Sequence, residues 1–139
     1  MTTYGEKIIL QTRGFSHIIN ITEKVQEIIS NSRITSGLAC VSAIGSTASI
    51  TTIEYEPALV EDMRELLEKI APSTMKTRHS RTWGDDNGFS HLRASLMGPS
   101  VTIPFANKRL ILGTWQQIVV IDHDNAPRTR EIYVQVIGD

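Results

Sequence analysis

A single cysteine, Cys40, rules out a disulfide within the chain. It lies in the apolar run Leu38-Ala39-Cys40-Val41 and reads as a buried packing thiol in a reducing setting. Basic excess is also missing: 14 Lys and Arg stand against 15 Asp and Glu, for a net charge of −1. That balance excludes bulk electrostatic binding to nucleic acid or to an anionic membrane, leaving only local arginines for a single phosphate. Aromatic residues are 6% of the chain and form no stacking ladder for bases. No apolar run approaches the length of a membrane span. The polar start Met1–Glu6 is not followed by the apolar stretch of a signal peptide. There is no repeat, low-complexity tract or linker. The expectation is one cytoplasmic domain over residues 1–139, large enough to bury a core without staples.

Hydrophobic periodicity predicts most of the elements. Lys7–Thr12 and Phe15–Ile19 read as strands around a turn at Gly14. Ile21, Val25, Ile28 and Ile29 recur at helical spacing, with Asn20 or Thr22 as cap and Asn31-Ser32 as the end. Gly37–Ile44 is continuously apolar and is expected to be covered on both faces. Ala48–Tyr55 reads as its partner strand. Pro57 opens a helix with Leu59, Val60, Met63, Leu66, Leu67 and Ile70 inward, and Arg64 and Glu68 paired outside. Ser73–Ser90 reads as one long irregular segment, and His91–Met97 fits either a helix or a strand. Strands follow at Ser100–Phe105, Arg109–Leu112, Thr114–Asp122 and Glu131–Ile137, with turns near Lys108 and Asn125 that suggest a C-terminal meander. The predicted class is α+β: mixed, largely antiparallel sheet layers with two main helices.

Residues able to do chemistry concentrate between Thr77 and His91. That stretch holds His79, Asp85, Asp86, Asn87 and His91. Imidazole is both a common ligand for borderline metals and a group that titrates near neutrality. A spacing of twelve is no metal motif, so the two rings meet only if the loop between them folds back. Asp86 and Asn87 are placed to orient an imidazole, whereas Asp85 reads as a solvated turn residue. His17 and His123 read as ordinary polar or core histidines. The small turn Gly45-Ser46-Thr47 offers hydroxyls and open N–H groups for a phosphate, and Arg128 and Arg130 share a strand face as a guanidinium clamp. Trp115 suits a core or a subunit interface, and Gln116 is expected to face the pocket.

Gly45-Ser46-Thr47-Ala48, Glu54–Pro57, His79, Asn87 with His91, Ser95-Leu96-Met97-Gly98, Ile103-Pro104, Leu112-Gly113-Thr114-Trp115-Gln116 and Pro127-Arg128-Thr129-Arg130, in this order, resemble the YjbQ-like family. This is also called the secondary thiamine-phosphate-synthase family. The resemblance covers almost the whole chain. It implies a compact α+β homotrimer and a polar site around the histidines, in some members with a divalent metal, zinc or magnesium, on positions matching His79 and His91. It also implies a weak thiamine-phosphate synthesis that joins a pyrimidine pyrophosphate to a thiazole phosphate. One departure stands out: many members have His-Thr-Thr where this chain has Gly45-Ser46-Thr47, so a third imidazole is missing.

The expected function is a small enzyme acting on a phosphorylated or pyrophosphorylated small molecule. His79, Asp86, Asn87 and His91 form its chemical centre, and Ser46, Thr47, Gln116, Arg128 and Arg130 its ligand contacts. The alternative is a metal- or metabolite-binding homotrimer without catalysis, which the absent imidazole at Gly45 favours.

Overall fold

A computed structural model describes residues 1–139. Eight strands form two antiparallel sheets. The strands are β1 (Thr2–Thr12), β2 (His17–Asn20), β3 (Gly37–Ile44), β4 (Ala48–Glu54), β5 (Ser100–Ala106), β6 (Arg109–Leu110), β7 (Gln116–Asp122) and β8 (Arg128–Gly138). The larger sheet runs β1-β8-β3-β5-β6 and the smaller β2-β7-β4. Four helices accompany them: α1 (Thr22–Ser32), α2 (Pro57–Ile70), α3 (Arg78–Trp83) and α4 (Gly88–Met97). No helix is long and apolar enough to cross a membrane.

The inner faces of the two sheets meet in the main core. Ile8, Val41 and Val134 of the larger sheet pack with Ile50, Ile118 and Val120 of the smaller, and Val25 and Ile29 of α1 close the layer. A second cluster lies on the other face of the smaller sheet, where Val119 and Ile121 meet Leu67 of α2 with Met97 of α4 beside it. Strand β7 is therefore the one covered on both sides, which explains its continuous run of Ile and Val.

The α+β class and its antiparallel layers are as predicted, and several details differ. Strand β3 is buried only at alternate residues; Leu38 and Ile44 point to the open outer face, and Cys40 is half-buried there. Its apolar run reflects that open face and not a covering layer. The C-terminal strands make no meander, because β7 joins the smaller sheet between β2 and β4 while β8 returns to the larger. The β5–β6 hairpin does form, on Asn107 and Lys108, both with positive φ as a tight two-residue turn requires. Glu68 pairs with Arg93, and Arg64 with Glu61 instead. Trp115 precedes β7 on a turn and is 71% exposed in the chain, not in its core. The segment read as irregular contains α3 and the start of α4.

Candidate functional site

Helices α3 and α4 bring His79 and His91 together. Thr77 caps α3, its hydroxyl oxygen accepting from the Ser80 N–H at 3.1 Å, and Gly84 ends it in the left-handed conformation. The first residue of α4 is Gly88. A Cβ there would overlap the Thr77 side chain, so only glycine lets the cap of α3 seat against the first turn of α4. The result is an edge-to-face contact of the two imidazoles, with ring centroids 4.6 Å apart.

Asn87 precedes α4 and is buried. With its carboxamide nitrogen turned toward Asp85 it donates to both carboxylate oxygens, at 3.1 and 3.2 Å, and to His79 Nε2 at 3.2 Å. Nε2 is then an acceptor and the ring proton sits on Nδ1. Asp85 Oδ2 lies 3.7 Å from the same nitrogen. The roles expected for the two aspartates are thus exchanged. Asp85 touches the imidazole, while Asp86 is exposed, has a left-handed backbone, and lines a neighbouring recess with Lys76 and Arg81. The segment is tied down by Asn125, whose side-chain nitrogen donates to the Asp85 carbonyl at 2.8 Å.

Behind Asn87 lies a buried ionic network that the sequence reading did not identify. In this orientation the Asn87 carboxamide oxygen stands 3.5 Å from Asp124 Oδ1, a contact of neighbours and not a hydrogen bond. Asp124 Oδ2 accepts from Arg128 Nε at 2.9 Å and from the Thr47 hydroxyl at 3.0 Å. Asp122 accepts from Arg130 Nε at 2.7 Å and Nη2 at 2.8 Å, and from the Thr12 hydroxyl. Burial alone would raise the carboxyl pKa of Asp122, but Arg130, Thr12 and the Asp124 N–H outweigh it and hold it below the ordinary value. Asp124 is likewise lowered despite burial, by the Asn125 N–H, Thr47 and Arg128. The Asp122 contacts push the Arg130 guanidinium the other way, toward tighter protonation.

A second buried chain runs beside it. Arg93 of α4, 2% exposed, donates to the Ala71 carbonyl at 2.9 Å, to Ser16 Oγ at 3.1 Å and to Glu68 at 2.8 Å, and lies over the Phe89 ring. With Ser16 Oγ accepting from Arg93, its own proton goes to His123 Nδ1 at 3.1 Å. His123 Nε2–H then donates to Ser49 Oγ at 2.8 Å, and Ser49 to Met97 Sδ. Burial, with Arg93 adding to it, lowers the His123 pKa to about 4, so this imidazole is neutral near pH 7. A buried, neutral, fully bonded His123 is structural, as expected.

His79 and His91 open onto a cavity of about 470 Å³. Lys76, Arg78 and Arg81 also line it, and no carboxylate does. None of these three cations forms an ion pair elsewhere. They are the site residues that sequence reading missed, because charges in a polar segment look solvated one at a time and reveal a common wall only once α3 forms. The expected ligand contacts are distributed differently. Thr47 and Arg130 are buried in the ionic network, Arg128 is half-exposed with Nε on Asp124, and Ser46 is exposed. Gln116 does not face this cavity. Opposite Glu54, it lies six residues along β7 from Asp122, about 20 Å by strand rise, and bonds Thr52 and the Gly113 N–H.

The residues do not fit a resident metal ion. Nowhere do three or more His, Cys, Asp or Glu side chains converge to hold one. His79 Nε2 is occupied by Asn87, and position 45 contributes no side chain.

Comparison with known proteins agrees with this architecture. The profile of the UPF0047 protein YjbQ-like family matches residues 6–139. A UPF0047 protein of Methanothermobacter thermautotrophicus is 36% identical over 138 residues, spanning 99% of this chain and 94% of that protein. One from Archaeoglobus fulgidus is 34% identical over 131 residues, spanning 94% and 99%. Among solved structures, a YbjQ-like protein of unknown function from Sulfolobus solfataricus superposes with a TM-score of 0.93 at 28% identity, covering 99% of both chains. A member of the yjbq/upf0047 family from Clostridium acetobutylicum gives 0.87 at 33% identity, covering 95% of this chain and 99% of that one. The two-sheet fold and the near end-to-end matches make this chain a member of the YjbQ-like UPF0047 family.

Proposed function

We propose that the protein is an enzyme acting on a phosphorylated or pyrophosphorylated small molecule in the cavity beside His79 and His91. The observation that carries this reading is the wall itself: Lys76, Arg78 and Arg81, without carboxylate partners, surround the two imidazoles. Unpaired cations in a concave site favour an anion, and charge-assisted N–H donors suit phosphate oxygens. His91 is the general acid/base, because its ring makes no hydrogen bond within the protein, whereas Asn87 and Asp85 hold His79 in one orientation. Lys76, Arg78 and Arg81 take the charge that builds on a departing phosphate or pyrophosphate. Thiamine-phosphate synthesis is one reaction of this kind. The thiazole nitrogen forms the new C–N bond as pyrophosphate leaves the methylene carbon borne by the pyrimidine ring; His91 gives a proton to the departing pyrophosphate, and the cations stabilise its remaining charge.

A binding role without turnover is the second reading, favoured by the commitment of His79 Nε2 to Asn87 and by the missing side chain at Gly45. Titration calorimetry with inorganic pyrophosphate, run beside an assay of pyrophosphate release from the pyrimidine pyrophosphate and thiazole phosphate pair, separates the two. The catalytic reading expects His91→Ala to keep binding and fold but to lose turnover. Full turnover in His91→Ala removes His91 from the chemistry. Wild-type binding with no turnover on any such substrate supports the second reading.

A further inference from the structure

A second recess, of about 580 Å³, adjoins the histidine cavity. Met75–Thr77 and Arg81 line both spaces and form the wall between them. Where the cavity has two imidazoles, the recess has the hydroxyls of Ser73, Thr74 and Ser80 and one carboxylate, that of Asp86. Met75 is its one apolar lining residue.

The turn before α4 sends two adjacent carboxylates to different places. Asp85 is tied into the His79 network, where Asn87 donates to its side chain and Asn125 to its carbonyl. Asp86 has a left-handed backbone, φ 55°, which aspartate tolerates better than most residues, and its side chain lines the recess. Asp86, Lys76 and Arg81 face the same space, yet none of them forms an ion pair, with each other or elsewhere. Ser80 Oγ accepts from the Thr77 hydroxyl at 2.9 Å, so its own proton is free to be donated.

This mixture of groups selects the occupant. A carboxylate only accepts, ammonium and guanidinium only donate, and hydroxyls do both. A phosphate deep in the recess would meet the charge of Asp86, and an amine would meet Lys76 and Arg81. A flat heterocycle finds little apolar surface beyond Met75. A neutral group with several hydroxyls can donate to Asp86 and accept from the others. Carboxylates hold ribose hydroxyls in this way at dinucleotide sites.

We propose that the recess binds the hydroxylated part of a sugar or polyol phosphate, whose phosphate group lies on Lys76 and Arg81 toward the histidines. Asp86 is the selective contact, accepting from hydroxyls of the ligand. The inference rests on the anion reading of the histidine cavity and narrows its substrate class to hydroxylated phosphates.

The test is titration calorimetry of the full chain with ribose 5-phosphate and, separately, inorganic phosphate. The wild type is expected to bind ribose 5-phosphate about tenfold more tightly, the worth of one hydrogen bond to a charged group. Asp86→Gly suits the left-handed backbone while removing the carboxylate, and is expected to abolish that preference without weakening inorganic phosphate. A Lys76→Ala/Arg81→Ala double variant is expected to weaken both ligands. Equal wild-type affinities overturn the recess and leave the anion cavity standing, and so does a full preference retained in Asp86→Gly. Undiminished binding of ribose 5-phosphate in the double variant overturns it as well. If the wild type binds neither ligand, the anion reading itself fails and this inference falls with it.

Discussion

Asp122 and Arg130 join the two sheets. Asp122 ends β7 of the smaller sheet, Arg130 lies near the start of β8 in the larger, and two N–H···O bonds of 2.7 and 2.8 Å cross between them. Both side chains are buried. Removing one member of such a pair leaves the other charged and desolvated, which typically costs about 3–5 kcal/mol. Asp122→Ala is expected to lose stability of that order in urea unfolding. A loss below about 1 kcal/mol would show that water replaces the carboxylate at no real cost.

Acid should destabilise the fold in two stages. The pKa of His123 falls from 6.5 to about 4 on folding, so the unfolded chain takes up this proton first. Its stabilising effect is complete above pH 6.5 and declines as pH falls toward about 4, by roughly 3 kcal/mol at 1.36 kcal/mol per unit. Asp122 and Asp124 have depressed folded pKa values, so their contribution persists above the unfolded carboxyl value of 3.8 and disappears as pH falls through the folded ones. Unfolding free energies measured from pH 8 to pH 3 should slope between 6.5 and 4 and steepen below. His123→Gln should flatten the upper slope while leaving the lower.

Gly88 is expected to be as important to the site as either histidine. In Gly88→Ala the new methyl displaces Thr77 and with it the cap of α3, which typically costs about 1 kcal/mol. The global midpoint should fall only slightly, since neither core cluster includes α3. Pyrophosphate affinity should drop about tenfold or more, because Lys76, Arg78 and Arg81 move together, each charge-assisted contact being worth about 1.5–3 kcal/mol. Unchanged affinity in calorimetry would separate the cavity wall from the α3–α4 packing.

The open outer face of the larger sheet carries the expectation of a homotrimer. Leu38 and Ile137 face each other across β3 and β8 there and stay 47% and 37% exposed, with Ile44 at 50%. Light scattering should give three times the mass of one chain, and Leu38→Glu with Ile137→Glu should release monomers. A wild-type mass equal to one chain would rule the assembly out.

The sequence was most readable where burial imposes a period. Ile21, Val25, Ile28 and Ile29 give α1 as expected; the β-branched run gives strand β4, but its partner is β7 in the smaller sheet and not β3 as expected, because strand pairing leaves no mark in local periodicity. Helix α3 escaped because its six residues include none buried, and α4 was legible only as a helix or a strand over His91–Met97 because it buries Arg93 and Ser90 alongside Phe89 and Ala94. A mixed inner face breaks the apolar pattern. Thr77 and Gly84, a cap at each end of α3, were the available signal. The ionic floor was hidden for a related reason. Asp122, Asp124 and Arg93 are charged, and charged residues are seldom fully buried unless paired. Their partners come from distant segments: Arg130 for Asp122, Glu68 for Arg93. The meeting of His79 and His91 needed a fold-back that no spacing rule predicts, and Gly88 supplied it.

Strand β1 pairs along its whole length with β8, from Thr2 opposite Gly138 to Thr12 opposite Arg128. Residues of β1 thus wait for partners that follow more than a hundred positions later in the chain. During synthesis this strand waits unpaired, with Ile8 and Leu10 unburied, until β8 has emerged. Closing that ladder is a long-range event, the slow kind in folding, and the waiting edge is where a nascent chain is most open to pairing with the wrong neighbour.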